Sequence, residues 1–578
     1  MPNLSQKKRD RMLTFLKMLK DENKTNDEVL IAIGEIESEL TSKKYGLVWE
    51  EHQENVDLQL LDNIPVFSEV PEKEISAIKN GDYNFLLEGD NLHSLYLLEK
   101  TYTEGIDVIY IDPPYNTLNQ FVYDDNRVGD DDTFKHSKWL SFMKKRLTIA
   151  YNLLKDDGII MVSIDDKEQA SLKLLMDEIF DEDNRISTHH VQVRYAEKSL
   201  TDGKQVKPVM EYIYIYAKSI NKCSLNLPKE EYTDESFIYE IKELNDGSHY
   251  FIDGQEVVVF KKGEWSIEKK EKPNISLLKE TWISGTIYSK MSYGQVVKKY
   301  IEPRYSTDGT GCLYKLIGRG DDGLGYRYYI GPERKGATRC KMYSGMPLDR
   351  VEQIKSGNGA YRDVPISNLM NFAPDFGNIV NEGGVPFNSG KKPIKMLKEL
   401  INYHPNKNAI VLDFFAGSAS TGHAVLSLNQ DDGGNRHFIL CTNNENKICE
   451  NITFPRLNNV INGWGNNKGM PANLMYYKTD FVAKDDEYIV NSLLNHIKEM
   501  IQLEYRIKVD NIKYKIILSD EDADILEKDW SQCNAEHIFI SRDVLLTSSQ
   551  KKLFDKVNVS IIPDNYFNFE LKELGESW

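Results

Sequence analysis

The sequence predicts an α/β fold: a parallel sheet covered on both faces by helices, with an inserted β-rich module and small N- and C-terminal extensions. Two patterns carry that prediction. Short, continuously apolar runs such as GIDVIYID and IIMVSIDD alternate with amphipathic segments of helical period. Strands that are apolar on both faces belong in sheets buried by helices. The rhythm breaks near residue 186 and returns near 391, and the stretch between is rich in Tyr, Gly, Lys and Thr, with alternating strands such as EVVVFKKGEWSI.

Residues 1–60 read as a charged N-terminal helical region, because Met12, Phe15, Leu16 and Leu19 recur at the spacing of one helix face. The prolines of NIPVF and EVPEKE break that pattern. Residues 61–185 form the first part of the core. There YNFLLEGDNLHSLYLLEKTY gives strand, turn and helix, GIDVIYID a buried strand, and HSKWLSFMKKRLTIAYNLLKDDG a long helix closed by Asp157-Gly158. IIMVSIDD is another buried strand and KEQASLKLLMDEIF another helix. Residues 186–380 are the β-rich insert. Residues 381–484 resume the core, with a helix in KKPIKMLKELINYH, a strand–glycine loop–helix unit in NAIVLDFFAGSASTGHAVLSL and a strand in RHFILCTNNEN. Residues 485–578 read as a small α/β C-terminal domain without a legible motif.

The chain has 578 residues, 40% hydrophobic and 28% charged, an ordinary globular composition. No apolar run approaches the ~20 residues of a membrane span, and the charged start MPNLSQKKRDRMLTFLKMLK lacks the apolar core of a secretory signal. Cys223, Cys312, Cys340, Cys441, Cys449 and Cys533 are scattered without a CxxC pair, and the eleven histidines show no HExxH. That predicts free thiols in a reducing, cytoplasmic setting, and no metal site. The net charge of −18 argues against wholesale coating of a polyanion, but local patches decide nucleic-acid binding. Residues 314–345 form such a patch, with seven lysines and arginines against three acids and with aromatics interleaved.

Two motifs carry chemistry. The strand Ile410–Asp413 runs into Phe414, Phe415, Ala416, Gly417 and Ser418 and then a helix. In open α/β sheets ligands sit beyond the carboxyl ends of strands, where a glycine admits close backbone approach and a helix start offers free N–H groups. Such a loop also serves as a plain strand-to-helix connection. The second motif is DVIYIDPPYNT, residues 107–117, in which an apolar strand ends in Asp112, Pro113, Pro114 and Tyr115. The two prolines stiffen the turn. They would hold the Asp112 carboxylate and the Pro113 carbonyl as a fixed pair of acceptors suited to an exocyclic amine, with Tyr115 a flat face for the ring that carries it.

Asp112-Pro113-Pro114-Tyr115 resembles the catalytic motif of DNA amino-methyltransferases, and Asp413 to Gly422 resembles their S-adenosylmethionine loop. The order, catalytic motif first and cofactor loop after the insert, is similar to that of β-group adenine-N6 enzymes. LEGDNLHSLYLLEK, FVYDDN, WLSFMKKRL, LLKDDGIIMVSIDD, MEYIYIYAKS, GPERKGATR, LNQDDGGNRHFILCTNNEN and YYKTDF extend the resemblance to the modification (Mod) subunit of type III restriction-modification systems. The resemblance implies a Rossmann-like S-adenosylmethionine-dependent sheet with an inserted target-recognition domain. It implies methyl transfer to N6 of an adenine flipped out of duplex DNA.

It also implies roles. Asp112 and the Pro113 carbonyl hold the amine, and Tyr115 stacks on the base with Phe121 as a further wall. Phe414, Phe415, Ala416, Gly417 and Ser418 line the cofactor, and Asp413 orients that loop. Lys392 and Pro393 lie near the cofactor carboxylate, and Asp90 near its adenosine half. Thr442-Asn443-Asn444-Glu445 stands where an acid often holds the ribose, with Thr442 taken here. Arg334, Lys335 and Arg339 contact DNA. Ala419 and Ser420 replace the family's usual glycine and threonine, and alanine disfavours positive φ. The family forms homodimers and works with a helicase-nuclease (Res) subunit; no helicase motif occurs in this chain, so cutting would need that second protein.

Accepting both N–H bonds of the amine would localise a lone pair otherwise delocalised into the ring, and transfer then needs only positioning and electrostatics. Three rivals are weighed. Glutamine-modifying methyltransferases carry Asn before the prolines and place the cofactor loop first. Cytosine-N4 enzymes more often carry Ser there. A subunit that only targets a nuclease has no need of Asp112 and Tyr115.

Overall fold

The computed structural model describes residues 4–24, 26–41, 49, 52–116, 135–197, 205–283, 292–357, 359–377, 379–387, 391–563 and 566–575. The chain divides into two compact units, Met1–Asn226 with Ser367–Trp578, and Leu227–Ile366.

The first unit is built on an eleven-stranded sheet. Its main strands are β1 (Asn63–Glu69), β2 (Tyr83–Glu88), β3 (Ile106–Ile111), β4 (Leu154–Ile164), β5 (Arg185–Gln192), β6 (Met210–Ala217), β7 (Leu369–Asn371), β8 (Ile410–Asp413), β9 (His437–Thr442) and β10 (Asn473–Ala483). They lie in the order β1-β10-β2-β9-β8-β3-β4-β6-β5-β7. The six strands from β10 to β4 are mutually parallel, and β6 runs antiparallel to β4. Every residue of β2, β3, β8 and β9 is buried, as the continuous apolar runs require. Each buried Leu or Ile there contributes about 1.5–3 kcal/mol of transfer free energy.

Helices in this unit include α1 (Leu4–Glu22), α2 (Asp27–Thr41), α3 (Asn55–Asp62), α4 (Asn91–Tyr102), α5 (Lys135–Leu153), α6 (Gln169–Phe180), α7 (Ile394–Ile401), α8 (Ser420–Asp432), α9 (Phe454–Asn462) and α10 (Ile497–Tyr505). α5 stops at Leu153, short of the expected Asp157-Gly158, because β4 already begins at Leu154 and takes those residues into its first turnings.

Two expected boundaries move. β5 and β6 fall inside the expected insert of 186–380, yet they pair with each other and with β4, extending the main sheet. The separate unit is accordingly Leu227–Ile366. The tail from 485 is not wholly separate either. Ile497, Met500, Ile501 and Leu503 of α10 join the main core, and Tyr102 donates to the Leu503 carbonyl at 2.6 Å. Only a three-stranded parallel sheet, Tyr514–Ile517, His537–Ile540 and Asn558–Ile561, has a small core of its own.

The second unit carries an eight-stranded antiparallel sheet. Its strand Gln255–Phe260 sends Val257 and Val259 into one apolar cluster and Val258 and Phe260 into another, the period of two that alternation predicts.

Candidate active site

β3 and β8 are parallel neighbours, with Leu412 beside Ile109, so Asp112 and Asp413 emerge on one rim. From β3 the chain crosses through α5 to β4 on one side, and from β8 through α8 to β9 on the other. The rim between them is therefore a topological switch point, where crossovers diverge and a crevice opens.

The turn after β3 is tightly braced. Trp139 of α5 donates its indole N–H to the Pro114 carbonyl at 2.7 Å. Asn116 takes a left-handed φ of +53° and donates to Glu168 Oε1 at 2.6 Å. Tyr115 donates its hydroxyl to Asp112 Oδ1 at 2.5 Å. Lys392 donates to the Tyr115 hydroxyl at 2.6 Å and to Glu211 Oε2 at 2.7 Å, and lies 3.3 Å from Asp112 Oδ1. An ammonium, a phenol and a carboxylate thus form a directed chain that fixes one oxygen of Asp112. No described residue donates to its other oxygen or to the Pro113 carbonyl.

Burial raises the Asp112 pKa, and Glu211 adds to this, against the pull of Lys392 and Tyr115. Burial, then the charges of Asp112 and Glu211, hold the Tyr115 phenol far above its usual value, so it remains a donor. Burial works against the Lys392 ammonium, but Asp112 and Glu211 outweigh it and bring Lys392 to about 12.

The glycine loop is fixed from within. Asp413 accepts from the Phe415 N–H at 3.0 Å and from the Thr421 hydroxyl at 2.5 Å. Burial lifts its carboxyl to about 7. The Ala416 N–H donates to the Cys441 carbonyl at 3.1 Å, and the Thr453 hydroxyl to the Gly417 carbonyl at 2.5 Å. Ser418 is buried, with Arg456 donating to its hydroxyl at 3.1 Å. Ala419 adopts φ +60°, a left-handed conformation that costs a residue with a Cβ roughly 1–2 kcal/mol. A Cβ on Gly422 would meet the side chains of Leu440 and Leu457 at 3.0 Å, so the glycine lets the helix pack here without displacing them. Phe415 rests against Phe142 and Phe414, with ring centroids 5.8 and 5.3 Å away.

Asp90 caps α4 by accepting from the Leu92 N–H at 2.8 Å, and its neighbour Asn91 donates to the Phe414 carbonyl at 2.8 Å. The start of α4 therefore borders the glycine loop. Thr442 ends β9 and accepts the Gly89 N–H at 3.0 Å. Pro393 caps α7. Lys391 serves the fold instead, donating to the carbonyls of Val380 at 2.6 Å and Val385 at 2.7 Å. Phe121 lies outside the described residues. In the second unit Arg334, Lys335 and Arg339 are exposed between the strands Tyr326–Ile330 and Cys340–Ser344. Lys315, Arg327 and Lys341 of the same patch are paired with Glu243, Asp322 and Glu280.

Three residues, Glu211, Arg146 and Arg456, had no role in the reading of the sequence, and Asn443 was one of four in the stretch expected to hold the ribose. Glu211 binds Lys392; an acid at the head of the apolar run MEYIYIYA was its only signal. Arg146 is fully buried on α5 and donates to Glu54 at 2.9 and 3.1 Å and to Asn91 at 2.6 Å. Arg456 braces the glycine loop from α9 through Ser418 and Ser420, and burial lowers its pKa to about 10. Asn443, one residue past β9, has a buried side-chain oxygen without a hydrogen-bond partner among the described residues.

Comparison with known proteins bears on this rim directly. The chain is 32% identical over 401 residues to the type III restriction-modification enzyme StyLTI Mod subunit of Salmonella typhimurium, a match covering 64% of this chain and 54% of that protein. It is 31% identical over 392 residues to the type II methyltransferase M.KpnI of Klebsiella pneumoniae, covering 64% of this chain and 86% of that protein. It is 28% identical over 463 residues to the type III restriction-modification enzyme EcoPI Mod subunit of Escherichia phage P1, covering 72% and 66%. The chain thus spans about half the length of the StyLTI relative. A family model described as DNA methylase matches residues 106–454, a stretch that holds both the Asp112 turn and the Asp413 loop. By that match and by its likeness to M.KpnI, the chain belongs to the DNA methylase family.

Proposed function

We propose that this protein is a site-specific DNA methyltransferase that moves a methyl group from S-adenosylmethionine to N6 of an adenine flipped out of duplex DNA. We propose further that it is the modification and recognition subunit of a type III restriction-modification system. The observation that carries the reading is the shared rim: a carboxylate with one oxygen braced and one open, beside a fixed loop at the switch point of the sheet. The Mod relatives support the type III assignment.

The residues present fit the cofactor. Asn443 offers an orphaned buried acceptor suited to a ribose hydroxyl or an adenine amine. Phe415 is apolar and only 7% exposed, and Asp413 holds its backbone in place. Thr442, Asp90, Phe414, Ala416, Gly417 and Ser418 complete the proposed set. S-adenosylmethionine bound there supplies a methyl group already activated by a positively charged sulfur.

The chain's own residues do the rest. Asp112 Oδ2 and the Pro113 carbonyl accept the two N–H bonds of the amine and localise its lone pair. Tyr115 and Lys392 keep Asp112 from rotating away. Unstacking the base costs a few kcal/mol, and stacking on Tyr115 would return about 1–3 kcal/mol of that. Arg334, Lys335 and Arg339, exposed between two strands, are the proposed phosphate or guanine contacts.

The proposed homodimer has a surface. Met12, Phe15, Met18, Ile31 and Ile36 are exposed on α1 and α2. Lys20 of α1 already pairs with Glu37 of α2 within one chain, so the exposed apolar side chains are the proposed contact with a second copy. Phe15→Asp should convert the dimer to a monomer in light scattering; an unchanged mass would remove this contact. A Res subunit and a cytoplasmic location belong to the same reading. No helix among the described residues is long and apolar enough to cross a membrane.

The deciding experiment supplies duplex DNA and radiolabelled cofactor, then separates the hydrolysed bases. Label in N6-methyladenine at one short sequence is expected. Label in cytosine, or none in DNA, would overturn the reading.

A further inference from the structure

Three charges share the space beside Asp112. The Lys392 ammonium lies 2.7 Å from Glu211 Oε2 and 3.3 Å from Asp112 Oδ1. Lys392 is 8% exposed and each carboxylate 19% exposed, so water screens them weakly. The Phe376 ring, 5.9 Å from the ammonium, adds an apolar wall. Tyr115 faces Asp112 as a donor, and among the described residues Tyr110 and Asp413 also interact with it.

Without Glu211, one ammonium would face one carboxylate. That pairing would hinder methyl transfer twice over. An unshared ammonium would settle on Asp112 and compete with the target amine for its oxygens. The pair would also be neutral overall, whereas an amine forming a new carbon–nitrogen bond carries positive charge until one of its protons passes to solvent water. A fixed negative field stabilises that charge; a neutral pocket does not. Glu211 answers both difficulties. It holds the ammonium closer to itself than to Asp112, and it gives the cluster one net negative charge.

We propose that Glu211 is a positioning residue for methyl transfer, acting through Lys392 to keep Asp112 open to the amine and the pocket net negative. The inference rests on the reading of Asp112 as the amine acceptor. It explains why an acid begins an otherwise apolar strand, β6, that runs antiparallel beside β4.

The test uses the full chain with Glu211→Gln, Lys392→Met and the double variant. Glu211→Gln should slow single-turnover methylation roughly 10- to 100-fold, with cofactor and DNA affinity unchanged. In the Lys392→Met background, where no ammonium is left to divide, Glu211→Gln should cost less than it does in the wild-type chain. A second readout needs no activity: carbon-13 NMR titration of the Asp112 carboxyl in cofactor-free protein. Its midpoint should fall in Glu211→Gln, where a negative neighbour is lost and the ammonium is undivided, and rise in Lys392→Met. Turnover of Glu211→Gln within about twofold of wild type, an equal or larger cost of Glu211→Gln in the Lys392→Met background, or an unmoved Asp112 midpoint would overturn the proposal. Wild-type chain that methylates no DNA would overturn the parent reading, while the titration would still decide whether Glu211 sets the charge of Asp112.

Discussion

Asp112 and Asp413 follow two neighbouring parallel strands and share one rim, close enough for the charge of Asp112 to raise the pKa of Asp413. About 300 residues and an entire second unit separate them in the chain. Asp112→Ala should therefore lower methyl transfer by about two to three orders of magnitude, with cofactor affinity retained because the Asp413 loop is braced independently. Single-turnover assays and calorimetry check the two halves of this expectation. Turnover near that of wild type would remove Asp112 from the chemistry.

Tyr115 contributes a ring and a hydroxyl. Tyr115→Phe breaks the link from Lys392 to Asp112 and should slow transfer roughly tenfold. Tyr115→Ala also removes the stacking face and should lose about a further tenfold. Fluorescence of 2-aminopurine at the target position reports extrahelical base and should weaken with Ala alone. Equal rates in both variants would leave the ring without a role.

Asp413 predicts a pH dependence of stability. Burial lifts its folded pKa from the ordinary 3.8 to about 7. The folded protein holds a proton there that the unfolded chain has released, so this stabilisation is full below the unfolded value and is lost as pH rises through about 7. From about pH 5 to about pH 8, wild type should lose about 1–3 kcal/mol relative to Asp413→Asn, whose amide does not titrate. Urea denaturation at the two pH values measures the difference. Parallel behaviour of the two proteins would refute the buried, neutral carboxyl.

Arg146 is fully buried and forks onto Glu54. Arg146→Met removes the buried fork, leaving Glu54 with Lys145 at 3.9 Å, and should cost about 3–5 kcal/mol. Pairing it with Glu54→Gln should restore part of the loss. A shift below about 1 kcal/mol in urea unfolding would show that the pair contributes little.

Arg334, Lys335 and Arg339 project from one exposed loop. If they meet phosphates, the triple alanine variant should bind DNA more weakly and flatten the slope of log Kd against log salt by about 2–3. An unchanged slope would take the loop out of the interface.

Local chemistry made the Asp112 turn and the Asp413 loop legible, since two prolines, a glycine and small residues at a strand end restrict the backbone whatever surrounds them. The same locality made the stop at Asp157-Gly158 misleading. There the pairing of β4 beside β3 begins at Leu154 and overrides a good helix terminator. The insert was visible as a change of rhythm. Its edges were not, because β5 and β6 lie past the change of rhythm yet pair antiparallel onto the main sheet through β4.

By itself the sequence determined the alternation of buried strands and helices and the two loops at strand ends, both set by short-range periodicity and turn chemistry. The tertiary structure alone decided which strands became neighbours, and with them the meeting of Lys392, Glu211 and Asp112. Electrostatic interaction falls with distance in space and is indifferent to distance along the chain, so the charge balance of this site comes into being only when β3, β6 and the start of α7 are brought together.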